Sequence, residues 1–410
     1  MLAGALSLLT LLAIPSASAI QTIQLTKRDL GLKNADGSVN FSGLKSEASR
    51  LAKKYERNRK NWRFHAFNEN PKARSSRKRG TATLTHQDTA VWTGKVQIGT
   101  PAQSFDIYFD TGSSDFTVAS SNCPSSSCGT KNRYNVGAST TAVQTSTTIT
   151  TNFVDGTSSS GNLVEDTVKC ASLTATGQDV IAATSLSSTV SDLESDGMGL
   201  AYPALSQAYS NSLPFTLYNQ NQGGRPQWFG LRLNNNGVSQ LTLGGYNRAR
   251  VTGQIRYFNV KIETGSTFRT YWQIGASAPY VNGVQAIKTR VNHILDSGTT
   301  LIIAPPTAAA EFWGNVPGSA KYDSNFYTFP CDSAPQLEFS FSRITLTMYG
   351  ISDDSFNLGY LEEDPSRCVG AVISQELGLG TSWILGDAFM TNWYIIHDVK
   401  NNNIGIGAPR

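Results

Sequence analysis

Apolar positions along this chain fall in short runs, and the residues that succeed each run differ from one region to the next. The first, in MLAGALSLLTLLAIPSASA, is continuous, too short to span a bilayer comfortably, and ends in the small residues Ala17-Ser18-Ala19. It reads as a secretory signal peptide over residues 1–19, although the usual Lys or Arg ahead of the run is missing. The stretch LKSEASRLAKKYERNRKNW (44–62) is charged and helix-compatible. From Gly80 onward the pattern is strand-like. FDIYF (105–109), IRYFNVKIE (255–263), VNHIL (291–295) and LIIAP (301–305) are apolar or alternating runs set among Ser, Thr, Gly and Asn. Such composition favours strands and turns over helices. No later run is long enough for a membrane helix, so a soluble mature protein without a membrane partner is expected.

Two of these runs end alike. FDIYF leads into DTGSS (110–114), and VNHIL leads into DSGTT (296–300). Downstream, Gly199 in DGMGLAYPAL lies 89 residues after Asp110 (199 − 110), and Gly386 in WILGDAF lies 90 after Asp296 (386 − 296). A matching turn, with an apolar-Gly segment at a matching interval beyond it, argues for two related halves. With 410 residues the chain can bury a large core, divided between two lobes.

The pairing of acids has a chemical meaning. Hydrolysis of a peptide bond without a metal or a covalent nucleophile needs one group to activate water and another to protonate the amide. Two carboxylates held close together cannot both ionise readily; they share a proton, so one serves as base and the other as acid. A glycine after each acid permits a tight turn, and the hydroxyls around it can orient the carboxylates.

Charge divides the chain further. Residues 20–79 carry 16 Lys/Arg against 5 Asp/Glu, net +11, and end in Ser76-Arg77-Lys78-Arg79; the remainder carries 18 against 25, net −7. Behind a signal peptide, a basic segment with a tribasic end reads as a removable pro-segment rather than a nucleic-acid-binding arm. It is expected to cling to the acidic body at neutral pH and to let go as carboxylates protonate, with a leader cation such as Lys72 against the acids. The one N-x-[ST] sequon, Asn40-Phe41-Ser42, lies in this leader, so the mature body should lack N-glycans.

Five cysteines in an exported chain permit disulfides and leave one over. Cys123 and Cys128 enclose only PSSS and suit a small loop staple. Cys331 and Cys368 would close a larger loop, leaving Cys170 as a buried apolar residue.

On KVQIGTPAQSFDIYFDTGSS, DGMGLAYPALS, HILDSGTTLIIAPP and WILGDAFMTNWYIIHDVKNNNIGIGAP, the chain from Gly80 to Arg410 resembles the pepsin family of aspartic endopeptidases. The resemblance implies a mainly all-β, bilobal fold, two β-barrel-like lobes with a central cleft, spanning 80–260 and 261–410. It implies Asp110 and Asp296 as the catalytic pair, with no cofactor and no metal. Ser113 and Thr299 would hydrogen-bond the outer carboxylate oxygens, Thr111 and Ser297 would cross-link the two turns, and Gly112 and Gly298 would leave room for substrate backbone. The family's two small disulfide loops match Cys123–Cys128 and Cys331–Cys368, and its third is absent. Protein or peptide substrates and the chain's own propeptide are the implied partners of a monomer. Export implies an extracellular or vacuolar acidic compartment.

Two departures fall together. The family's flap hairpin corresponds to FVDGTSSSG (153–161), where Phe153 replaces the usual tyrosine and Val154 a glycine, while Asp155 and Gly156 fit. Thr117 stands where the family often has the tryptophan that meets the flap tyrosine. Losing donor and acceptor together avoids stranding a buried polar group at about 1–3 kcal/mol. A flap held by apolar contact through Phe153, with an altered pocket, is the expectation.

Other chemistries find little support. The chain has no HExxH and no GxSxG elbow, and His65, His86, His293 and His397 lack metal-ligand spacing. Asp387 and Asp398 have no echo in the other half and read as structural. The rival of a different class is a secreted binding or inhibitor protein on the same scaffold. Such a protein would be expected to lose an acid or its glycine, and both are intact.

Overall fold

The computed structural model describes residues 21–27, 31–67, 92–129, 132–152, 158–186, 196–222, 227–235, 237–262, 266–342 and 347–410. Strands dominate. They form sheets of 13, 8 and 4 strands, and the only helix among the described residues longer than 8 residues is α1, Phe41–Phe67.

The repeat in the sequence is a repeat in topology. Strand β1 is Gln21–Lys27, β2 Trp92–Ile98, β3 Gln103–Asp110 and β4 Phe116–Ala119. β3 runs into the first acid turn and β4 leaves it. The strand Asp196–Gly199 lies between them, parallel to β3 with Asp110 opposite Gly199 and antiparallel to β4. In the second half, Val291–Leu295 and Ile302–Ala304 flank the second acid turn. Trp383–Leu385 lies between them, again parallel to the first and antiparallel to the second. A fourth strand closes each set in parallel, Leu173–Ser185 on β4 and Val372–Ser374 on Ile302–Ala304. The nearly equal intervals, 89 and 90 residues, exist because each inserted strand must come back to the same place beside its turn.

The halves are also joined behind the turns. The C-terminal strands Tyr394–Asp398 and Asn403–Pro409 pair with each other and with Trp228–Arg232 and Val251–Asn259. Strand β1 continues this sheet, paired over Gln21–Leu25 with Ser239–Leu243 and at its end with β2. Its alternation QTIQLTK turns Ile23 and Leu25 into the core, at 8 % and 7 % exposure. One continuous core includes the fully buried Trp92, Trp272, Trp313 and Trp383. No helix among the described residues is long and apolar enough to cross a membrane.

Helix α1 is capped by Asn40, whose Oδ1 accepts from Gly43 N–H at 3.1 Å while its carbonyl accepts from Leu44 N–H. The helix covers the sequence stretch 44–62 in full. Its buried face has two strips, because positions three and four apart share a side. Leu44, Ala48, Leu51 and Tyr55 form an apolar strip, and Glu47, Arg50, Lys54 and Asn58 form a buried polar one beside it.

Candidate active site

The two acid turns meet face to face and are locked by a reciprocal set of hydrogen bonds. Thr111 Oγ1 donates to Leu295 O at 3.0 Å and accepts from Ser297 N–H at 2.9 Å. Ser297 Oγ donates to Phe109 O at 2.9 Å and accepts from Thr111 N–H at 3.1 Å. All four groups are buried, so each bond is worth more than it would be in water. Each half therefore holds the other's turn.

Above this lock lie Asp110 and Asp296, 2 % and 0 % exposed. Each inner oxygen accepts the N–H of the glycine two residues on, Gly112 to Asp110 Oδ1 and Gly298 to Asp296 Oδ1, both at 2.9 Å. Each outer oxygen accepts a hydroxyl, Ser113 Oγ on Asp110 Oδ2 at 2.6 Å and Thr299 Oγ1 on Asp296 Oδ2 at 2.5 Å. The space kept by the two glycines belongs first to the carboxylates, since a Cβ at Gly112 would fall on Asp296 and one at Gly298 on Asp110.

A cation from helix α1 sits between the acids. Lys54 Nζ lies 2.7 Å from Asp110 Oδ1 and 2.9 and 2.8 Å from the two oxygens of Asp296. Tyr55 Oη donates to Asp296 Oδ2 at 2.5 Å. The acids are driven apart in proton affinity. Burial raises Asp110 above the usual carboxylate range. Burial pushes Asp296 the same way, but Lys54, together with hydrogen bonds from Asp110 and Thr299, outweighs it and holds that group ionised. Burial and the adjacent Asp296 push the Tyr55 phenol well up, which keeps it a donor.

The neighbours of Lys54 on the polar strip cover the flanks. Arg50 Nη2 donates to Gly298 O at 2.8 Å, and Asn58 Nδ2 donates to Gly112 O at 2.6 Å. Arg50, Lys54 and Asn58, one helical turn apart, thus occupy one turn's carbonyl, the acid pair and the other turn's carbonyl in order. Arg50 is itself held by Glu47 through two bonds of 2.6 and 2.7 Å, in a buried ion pair. Lys72 lies outside the described residues; the cation on the acids is Lys54. The spacing of residues 47, 50, 54 and 58 puts them on one side of a helix, which groups Lys54 with Glu47, Arg50 and Asn58 without naming their partners.

Of the other expected residues, Phe153, Asp155 and Gly156 lie outside the described residues, as do Val154 and His86. Thr117 is buried in β4 opposite Gly197 and Ile181. Disulfides join Cys123 to Cys128 and Cys331 to Cys368, and Cys170 is free and buried, its thiol pushed up to about 12 by desolvation. Asp387 accepts from Trp92 Nε1 at 2.9 Å, and its burial pushes it well above the carboxylate range. Asp398 holds the turn at Asn401. His293 and His397 are enclosed by aromatic rings.

Residues 91–409 match the family model described as "Eukaryotic aspartyl protease". An "Aspartic protease" of Phaffia rhodozyma is 34 % identical over 400 residues, covering 95 % of this chain and 92 % of that protein. "Pepsin-2B" of Gadus morhua is 30 % identical, covering 81 % of this chain and 99 % of its own length. "Cathepsin D" of Dictyostelium discoideum is likewise 30 % identical, over 80 % of this chain and 86 % of its own. A buried acid pair on a duplicated strand-turn unit, with the family match over residues 91–409, places the chain in the eukaryotic aspartyl protease family, as an aspartic endopeptidase.

Proposed function

We propose that Asp110 and Asp296 hydrolyse peptide bonds of proteins at acidic pH, and that the full chain, leader included, is the zymogen. With the leader gone, the place of Lys54 Nζ falls to a water. One ionised carboxylate takes a proton from that water as its oxygen attacks the scissile carbonyl, while the other carboxyl supplies its proton to the carbonyl oxygen. The tetrahedral species then collapses with proton transfer to the amine, with no acyl-enzyme. The buried surroundings strengthen each hydrogen bond involved. The observation that carries this reading is that a single ammonium reaches both carboxylates within 2.9 Å. Groups that close share a proton, and a group that fills the gap excludes substrate.

In this reading residues 1–19 direct export and residues 20–79 are removed near Arg79, giving a monomeric enzyme that works in an extracellular or vacuolar acidic space. The test is hydrolysis of a denatured protein by the acid-processed chain. Asp110→Asn should lower the rate by at least about 10³-fold, the order expected for loss of general acid–base catalysis. A processed chain that leaves the substrate intact and ignores a statine-type transition-state analogue would be a binding scaffold instead.

A further inference from the structure

Helix α1 is anchored at its other end, far from the acids, and the anchor has the make-up of a recognition site. Phe41 stacks on Tyr322, ring centroids 4.5 Å apart at 20°, and meets Phe326 edge-on at 5.9 Å. One turn later Lys45 Nζ lies 3.5 Å from Asp323 Oδ2 and 5.9 Å from the Phe41 ring. The leader thus presents an aromatic ring and a cation to an aromatic ring and an acid.

This platform is held together without the leader. Tyr322 N–H donates to Phe326 O, and its Oη donates to Glu363 at 2.9 Å. Asp323 Oδ1 accepts from Asn325 and Phe326 N–H at 2.8 and 2.9 Å, and Asn325 Nδ2 donates to Ser374 O. Every one of these partners belongs to the C-terminal half. When the leader departs, therefore, Tyr322 remains in place. Already 40 % exposed beneath Phe41, it then has a free ring face, with Asp323 beside it and no cation of the leader to pair with. An aromatic face next to acids, continuous with the cleft through the path that α1 takes, is fitted to a polypeptide.

We propose that Tyr322, Phe326 and Asp323 form a substrate exosite that takes an aromatic residue with a basic residue nearby, on an extended protein segment whose scissile bond lies between Asp110 and Asp296. Phe41 precedes Lys54 by 13 residues (54 − 41), about 20 Å of helix. An extended chain covers that distance in about six residues. Side chains two apart on a strand share a face, so Phe-x-Lys reproduces what Phe41 and Lys45 present. The proposal rests on the reading that the leader is removed and that the cleft cleaves peptides.

The test uses the acid-processed protein and one peptide substrate in three forms: plain, or extended by Phe-x-Lys about six residues to the amino or to the carboxyl side of the scissile bond. One extension should lower KM about fivefold at unchanged kcat, the size of a single aromatic stack. Tyr322→Ala should abolish that gain and leave the plain peptide unaffected, and Asp323→Asn should erase the advantage of the Phe-x-Lys extension over an otherwise identical Phe-x-Gln extension made as a further control. Separately, a fluorescent peptide of residues 31–47, which lacks Lys54 and Tyr55, should bind the processed protein and bind Tyr322→Ala at least fivefold more weakly. Equal KM for all three substrates, or peptide binding indifferent to Tyr322→Ala, overturns the exosite. A plain peptide left uncleaved while the leader peptide still binds overturns the proteolytic reading alone.

Discussion

A methyl group added at Gly298 would fall on Asp110 Oδ1 and within 2.8 Å of Lys54 Nζ. Neither turn can retreat, because Thr111 and Ser297 fix each backbone to the other. Gly298→Ala should therefore displace Asp110 rather than the turn, and proton sharing depends on that spacing. Cleavage by the processed protein is expected to fall at least 100-fold, while overpacking costs about 1–3 kcal/mol of stability, read as a modest drop in melting temperature. Full activity in a folded Gly298→Ala protein would show that the carboxylates tolerate separation. At this scale the sequence was informative because DTGSS and DSGTT carry their chemistry in the residues themselves. Lys54 was harder to read, since its partners are 56 and 242 residues away and nothing beside it in the chain announces them.

Helix α1 reverses the usual burial of an amphipathic helix, since half of what it hides is polar. Burying Glu47, Arg50, Lys54 and Asn58 is tolerable only while each finds its partner. Arg50→Ala would leave Glu47 buried without its guanidinium, at a cost of about 3 kcal/mol, and would free Gly298 O. Lys54→Met would leave two facing carboxylates with no cation. The sign of the pH effect is set by Asp296, which Lys54 holds below the ordinary carboxylate range in the docked state. That contribution to docking is present above the ordinary range and is lost as pH falls through the depressed value. Both variants should therefore release the leader at higher pH than the parent chain, read by gel shift across a pH series. Release at the parent's pH in both would mean the helix is held chiefly by its apolar strip and β1. The helix was legible in its composition and the paired turns in their repeat. β1 was not singled out, although QTIQLTK alternates as a half-buried strand should; a seven-residue polar alternation in a basic leader carries no sign that both its neighbours come from beyond residue 90.

Across the whole molecule, buried groups pull stability in opposite directions as pH falls. Asp387, neutralised by burial, favours the folded state at low pH: its contribution is complete below the ordinary carboxylate value and fades as pH rises through its raised one. The two buried histidines act in the opposite direction. His397 lies face to face with Phe229 at 4.3 Å and 6° and edge-on to Trp272 at 4.9 Å, in the sheet that joins the halves. His293 sits among Phe339, Phe341 and Trp383 with Ser277 Oγ on Nδ1. Desolvation lowers each from 6.5 to about 3. Unfolded chains thus take up these protons first, and the stability that the neutral rings contribute is complete above about pH 6.5 and lost as pH falls towards 3. At pH 4 the loss is about 3 kcal/mol for each ring. His397→Phe keeps a flat ring against Phe229 and removes the titration. In an Asp110→Asn background, which prevents self-digestion, it should raise the melting temperature clearly at pH 4 and little at pH 7. An equal shift at both values would mean that His397 acts through packing alone. The expected difference would place an acid limit on the fold in the sheet joining its halves, set apart from Asp110 and Asp296.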